Sequence, residues 1–403
     1  MSVESVVIIG GGLSGFTAAK ELRGRGFAGT LSIIDPEGLP YDRPPLSKDY
    51  LAGSKDAAGI ALASATWYVE NNVTVITGTA TALDPDAGTA TLDDGRVLVA
   101  DRFVLATGGR ARRLSIPGGD LPGVLELRTK NDADTLRGLL APGVRLAIVG
   151  AGLIGAETAS SARGFGAEVT LIDPVEIPLV PAIGEGLATR LHNMHAQHQV
   201  RTVTGIPEEI TQGAEGYGIL LSTGETIAAD VVLVGIGIIA ATELAEAAGL
   251  DTDNGVLVDE RGATSHPRVY AVGDSARTRL DDGTLLRRAE HWEHAMNAGA
   301  TAAAAILNQE PPVHGASWFW SDRHGVHVEG VGSMHGDGEH VVRMLDGVPI
   351  AAFRLDAEGL MLGAAAIDGG LTVRAARRII DRNIKVDALA LADPATELKK
   401  LAR

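Results

Sequence analysis

Two glycine loops are the places where this sequence could handle phosphate. Gly10-Gly11-Gly12-Leu13-Ser14-Gly15 and Gly150-Ala151-Gly152-Leu153-Ile154-Gly155 share the spacing G-x-G-x-x-G. In that spacing the first glycine permits a tight turn and the second lets a pyrophosphate reach the backbone. The third lets the following helix pack close to a strand. The free N–H groups of the helix N-terminus then face the phosphates. Asp35 lies twenty residues after Gly15, where it can accept hydrogen bonds from an adenosine ribose, and Asp173, eighteen residues after Gly155, likewise ends the strand that follows the second loop. One such loop is weak evidence. Two, each with its own acid, point to two dinucleotide sites.

The loops have this meaning only between the right elements. Val6-Val7-Ile8-Ile9 is a continuous apolar run, as in a strand covered on both faces of a parallel sheet. The pattern predicts a helix from Phe16 to Gly26 and a strand from Leu31 to Ile34. The second loop follows Leu146-Ala147-Ile148-Val149, with a helix expected from Ala156 to Phe165 and a strand from Val169 to Ile172. Asp173 also bears on cofactor choice, since a carboxylate there welcomes a ribose 2′-OH and repels a 2′-phosphate. Pro174-Val175-Glu176-Ile177-Pro178 offers no Arg or Lys to offset that repulsion, so NADH is expected over NADPH.

Composition narrows the function further. A chain of 403 residues exceeds one hydrophobic core and predicts two or three domains. With 51 acidic and 35 basic side chains the net charge is −16, which disfavours sequence-independent nucleic-acid binding. Met1-Ser2-Val3-Glu4 runs straight into a strand without a signal-peptide pattern, and no apolar stretch suits a membrane span. A cytoplasmic address is therefore expected. There is no cysteine, which excludes disulfides, thiolate metal sites and redox-active thiols. The 11 histidines show no metal spacing, and no metal is expected. His192, His195 and His198 drift off one helical face and predict a solvated surface.

Further segments carry a likeness to a known family. Arg102-Phe103-Val104-Leu105-Ala106-Thr107-Gly108 is similar to the strand end by which two-dinucleotide-binding flavoproteins of the pyridine nucleotide-disulphide oxidoreductase superfamily return to FAD. Val231 to Gly237, containing Gly235-Ile236-Gly237, resembles the exit from their NAD domain. Tyr270-Ala271-Val272-Gly273-Asp274 resembles the second FAD motif, whose Asp reaches the ribitol. Pro40 to Leu51, Arg288 to His294 and Trp318 to Asp322 resemble the NADH-dependent ferredoxin reductases of bacterial dioxygenase and P450 systems, the putidaredoxin reductase-like proteins. The likeness covers essentially the whole chain. It implies an α/β fold with two Rossmann-like dinucleotide-binding domains plus a C-terminal α+β domain. The FAD domain would comprise 1–113 and 241–317, the NAD domain 114–240 and the C-terminal domain 318–403. In the last, strands are expected near 326–331 and 340–355, with a helix after Leu371.

The resemblance also assigns roles. It places Lys48 at the flavin N5 edge, Arg43 on the FAD phosphates, and Glu157 beside Lys48, where it would also hold the nicotinamide amide. Arg110 is grouped with the FAD contacts, as are Glu290, His291 and Trp292 in a loop behind the isoalloxazine, and Trp320 in an aromatic cluster near it. Arg374, Arg377, Arg378, Arg382 and Lys385 form a basic run in an acidic chain. The family context makes it a docking face for an acidic [2Fe–2S] ferredoxin. The expected reaction is NADH:ferredoxin reduction, with hydride passing to FAD and single electrons onward, by a monomer or weak dimer. Thioredoxin-reductase-like and NADH-peroxidase-like chemistry needs a cysteine the chain lacks. Rubredoxin reductase, or an NADH/FAD redox-sensing protein, is the alternative.

Overall fold

The structure, a computed structural model, describes residues 3–402; Met1 and Ser2 of the N-terminal run lie outside the described residues. Five helices position the site: α1 (Leu13–Gly24), α2 (Leu153–Gly164), α3 (Glu185–Gln197), α4 (Trp292–Ile306) and α5 (Gly370–Asp381). The chain forms two compact units. The first takes residues to Pro44, then Lys55–Arg110 and Ile238–His314. The second takes Pro45–Ser54, Ala111–Gly237 and the chain from Gly315 onward. Pro45–Ser54 thus packs with the second unit, although its neighbours in sequence belong to the first.

In the first unit a five-stranded sheet runs in the order Val269–Ala271, Arg102–Leu105, Ser5–Ile9, Thr30–Asp35, Val73–Thr77. The pairings are parallel, with Ile9 between Ile34 and Leu105. Both faces of the Ser5–Ile9 strand are covered, which explains its unbroken apolar run. Val6 and Ile8 pack in one core with Phe16 and Leu22 of α1, and Val7 and Ile9 in another with Phe103 and Leu83. Helices α1 and α4 cross closely. A Cβ at Gly299 of α4 would collide with the carbonyl oxygen of Ser14, so the crossing requires glycine.

The second unit repeats the device. Its parallel sheet has the order Val200–Thr204, Glu168–Asp173, Arg145–Val149, Val231–Val234, Val124–Leu125. An antiparallel meander, Pro207–Gly213, Gly216–Leu221 and Thr226–Ala229, covers one face through Ile210, Ile219 and Ile227. The C-terminal part is a five-stranded antiparallel sheet, Trp318–Arg323, Val326–Gly332, Met361–Ile367, Val348–Leu355, Glu339–Leu345. One face packs on α5 through Val373 and Ile379, and the other on α3 through Leu187 and Leu191. The α/β class with two Rossmann-like sheets and a C-terminal α+β part is as expected. The run 340–355, expected as strand, is a hairpin. Asp346 and Gly347 both have positive φ, 50° and 77°, and Leu345 pairs with Val348. That is the two-residue turn in which Asp-Gly is favoured. The following helix begins at Gly370, one residue before Leu371.

Candidate active site and nucleotide cradles

The two loops have the same geometry. Gly10 and Gly150 have φ of +109° and +104°, and a Cβ on them would strike the carbonyl oxygens of Ala106 and Gly235. At Gly15 and Gly155 a Cβ would strike the carbonyl oxygens of Gly10 and Gly150. At Gly12 and Gly152, by contrast, nothing lies within 4 Å. Two glycines of each loop are therefore required by packing, and the third leaves open space where Leu13-Ser14 and Leu153-Ile154 begin α1 and α2. This is the shape a pyrophosphate needs.

Each acid braces its own loop. Asp35 Oδ2 accepts the Gly11 N–H at 2.7 Å and Oδ1 the Glu37 N–H at 2.8 Å. Asp173 Oδ2 accepts the Ala151 N–H at 2.7 Å and Oδ1 the Val175 N–H at 2.9 Å. Each carboxylate oxygen retains a lone pair for a ribose hydroxyl.

The remaining first-unit residues close around the first loop. The Ala106 N–H donates to the Ile9 carbonyl and the Thr107 hydroxyl to the Ala241 carbonyl, both at 2.8 Å, and Gly108 has a φ of +64°. Gly273, at φ +70°, sits so close to Ser14 that a Cβ would press on its side chain, which brings Asp274 to the start of α1. Glu290 pairs with Arg288 at 2.8 Å, and Arg288 Nη1 donates to the Asp274 carbonyl at 2.7 Å. Arg288 Nε is buried without a hydrogen-bond partner, a donor that a bound group could satisfy. Within the Arg288–His294 segment no spacing or motif marks Arg288 as a site residue. His291 immediately precedes α4, and burial holds it, like His294, below the usual histidine range. The Trp292 indole N–H donates to Asp42 at 2.9 Å. Arg43 is half-buried. Arg110 forms an exposed ion pair with Glu243.

The second unit contains a buried lysine–glutamate cluster. Glu157, at the start of the second turn of α2, is only 4% exposed. Its Oε1 accepts from Lys48 Nζ at 3.2 Å and from the Ser321 hydroxyl at 2.6 Å, and its Oε2 from the Ser47 hydroxyl at 2.6 Å. Lys48 Nζ also lies 3.5 Å from Asp322 and 5.3 Å from the centroid of the Trp320 ring, which stacks on Trp318. The expected Lys48–Glu157 pair is therefore present. Ser47, Ser321 and Asp322 join it. The segment that carries Lys48 is pinned by the Ser161 hydroxyl on the Ser47 carbonyl (2.7 Å), by Tyr50 on Asp134 (3.0 Å) and by Arg137 on the Tyr50 carbonyl (3.0 Å). Around the second loop, the Gly235 N–H donates to the Val149 carbonyl at 2.8 Å. Ile236 packs against the meander core, and Gly237 turns the chain at φ +99°.

The histidines of α3 do not form the solvated face their spacing predicts. His195 is 2% exposed, not solvated, because the hairpin tip His324-Gly325 covers it. His324 Nε2 and His195 Nδ1 share a hydrogen bond of 2.9 Å, and His198 stacks on His324. Burial, then neighbouring positive groups, push His195 down to about 3 and His324 to about 4. Among the described residues no group of three or more His, Cys, Asp and Glu could hold a metal. In the unfolded chain both histidines bind protons near pH 6.5, whereas in the folded chain they do so only well below it. Stability should therefore be fully present above about pH 6.5 and lost as pH falls towards 4. We expect the thermal midpoint to drop over that range, and to drop less in His324→Asn, since Asn tolerates the positive φ there. Parallel profiles for the two proteins would show that the pair does not contribute.

The fold and the site together define a class, and comparison with known proteins gives the same one. Residues 4–301 match the pyridine nucleotide-disulphide oxidoreductase family and residues 318–402 the reductase C-terminal domain. The chain belongs to the pyridine nucleotide-disulphide oxidoreductase family, as an FAD-dependent oxidoreductase that uses NADH. It is 36% identical to the ferredoxin–NAD(+) reductase subunit of the benzene 1,2-dioxygenase system of Pseudomonas putida, over 99% of this chain and 97% of that one. It is 37% identical to the biphenyl dioxygenase system ferredoxin–NAD(+) reductase component of Paraburkholderia xenovorans strain LB400, over 100% and 99%. The crystal structure of the covalent putidaredoxin reductase–putidaredoxin complex matches with a TM-score of 0.93 at 31% identity, over 100% of this chain and 98% of that one. Among the described residues no helix is long and apolar enough to cross a membrane.

Proposed function

We propose that this chain is an NADH:ferredoxin oxidoreductase whose acceptor is a [2Fe–2S] ferredoxin serving a P450 or a ring-hydroxylating oxygenase, acting in the cytoplasm as a monomer or weak dimer. One observation carries the reading. The chain has both nucleotide cradles and a lysine–glutamate pair but no cysteine, so electrons cannot pass to a thiol relay and must leave for an outside acceptor. Bound FAD supplies the conversion of a two-electron donor into one-electron steps. Residues 1–113 and 241–317 hold it, through the Gly10–Gly15 loop, Asp35, Arg43 and Gly273-Asp274. Residues 114–240 hold NADH through the Gly150–Gly155 loop and Asp173. Lys48 offsets negative charge that develops during transfer, and Glu157 orients it. No side-chain nucleophile or general base is needed.

The acceptor meets residues 318–403 at α5. Arg374 and Arg378 lie exposed one turn apart, Arg377 is half-buried, and Arg382 donates to the Ala402 carbonyl. The test is NADH-driven turnover by the FAD-loaded protein with a [2Fe–2S] ferredoxin or with a rubredoxin. The ferredoxin should support the faster turnover. Reversing Arg374 and Arg378 to Glu should raise its KM several-fold at low salt and leave ferricyanide reduction unchanged. The defect should shrink with salt, as screening acts over about 10 Å at 0.1 M. If NADH bleaches the flavin while no iron–sulfur protein speeds turnover, the redox-sensing alternative replaces this reading.

A further inference from the structure

Arg323 ends the strand that carries Trp320, Ser321 and Asp322, and it is 4% exposed. Long cationic side chains are rarely buried without a counter-charge. Its Nη2 donates to the Ser321 hydroxyl oxygen at 3.0 Å, and its Nε has no hydrogen-bond partner. The guanidinium is therefore held chiefly by charge, and the anions acting on it are Glu157 and Asp322. Burial brings it down to about 10, so it is still charged at neutral pH.

The direction of the hydrogen bonds matters. Because Arg323 donates to the Ser321 oxygen, the Ser321 proton must point elsewhere, and it points to Glu157 Oε1 at 2.6 Å. The same oxygen receives Lys48 at 3.2 Å, while Ser47 fixes Oε2 at 2.6 Å. A carboxylate with both oxygens held cannot rotate, and the lysine it holds inherits that geometry. The hairpin tip is itself clamped, with the His324 N–H on the Ser160 hydroxyl at 2.8 Å and the His324 ring on His195. Arg323 is thus fixed from behind.

We propose that Arg323 is a positioning residue for hydride transfer, acting through the Ser321 hydroxyl to hold the Glu157 carboxylate in the orientation that presents Lys48. The proposal rests on the role given above to Lys48. Buried, charge-assisted hydrogen bonds that aim a neighbouring group are the usual support of a preorganised site. An uncharged residue at 323 leaves the Ser321 hydroxyl free to turn. An alanine at 321 breaks the relay while keeping the guanidinium.

The test uses the FAD-loaded protein and stopped-flow reduction by NADH. Ser321→Ala and Arg323→Gln should each lower the limiting rate about three- to tenfold, with half-saturation by NADH within about twofold. Ser321→Thr, which keeps the hydroxyl, should restore the rate. In a Lys48→Ala background neither change should slow reduction further, a non-additivity that a purely structural role would not produce. Crystal structures of Ser321→Ala and Arg323→Gln should show the Glu157 carboxylate turned from Lys48, beyond the present 3.2 Å. If Arg323→Gln does not fold, Ser321→Ala decides alone. Slowing by Lys48→Ala without slowing by Ser321→Ala, or an unmoved Lys48–Glu157 pair, overturns this proposal and leaves the role of Lys48 intact. A wild-type rate in Lys48→Ala overturns both.

Discussion

Lys48→Ala should slow reduction of the flavin by NADH about tenfold or more while FAD stays bound, the cost of losing one preorganised charge beside a developing anion. The structure supports this size of effect. The Lys48 side chain is 15% exposed, and its ammonium is held by Glu157 at 3.2 Å and Asp322 at 3.5 Å and sits over Trp320. A charge fixed in a poorly solvated setting need not reorganise during the reaction, so its loss falls on the rate more than on binding. None of the contacts that shape the first cradle involves Lys48, so cofactor retention should be unaffected. Single-turnover stopped flow separates these quantities. A variant with the wild-type reduction rate would return Lys48 to an ordinary ion pair.

NADH should exceed NADPH in kcat/KM by about tenfold or more. Asp173 is not a mobile surface acid. Its two oxygens are fixed by the N–H groups of Ala151 and Val175, so it cannot swing away from a 2′-phosphate. Glu176 adds a second negative charge nearby, and burial keeps the neighbouring His192 below its usual range, so it offers no cation at neutral pH. Asp173→Asn should narrow the preference by removing the charge. It should also weaken NADH, because an amide cannot accept at both positions. Comparable kcat/KM values for the two nucleotides in the wild-type protein would remove the argument.

Much of the cofactor machinery was legible because it is local. A turn, an open backbone and a tight helix–strand contact must follow one another within six residues, so the chemistry dictates the spacing of Gly10–Gly15 and Gly150–Gly155. The acids follow from strand length. Strand edges were less legible. The run 340–355 is mostly apolar, and the Asp346-Gly347 turn at its middle, a signal present in the sequence, divides it into two strands. Both loop helices begin at Leu13 and Leu153, earlier than their apolar pattern, because their first turns are the cradles themselves.

What the sequence determined by itself is the pair of nucleotide cradles, the preference written into Asp173, and the absence of any thiol. Tertiary structure alone decided how charged side chains far apart in the chain would be combined. Ser47 and Lys48 belong by sequence to the first nucleotide unit, yet they are pinned to α2 of the second, and their neighbour Tyr50 to Asp134. His195 looked solvated on its own helix until a hairpin tip covered it. Arg323 ends a strand, where its sequence neighbours give no sign of burial, yet in the fold it is 4% exposed. Periodicity reports which face of an element is apolar. Whether a polar side chain on that element is desolvated depends on what another element places over it, and burial then makes its few hydrogen bonds decisive.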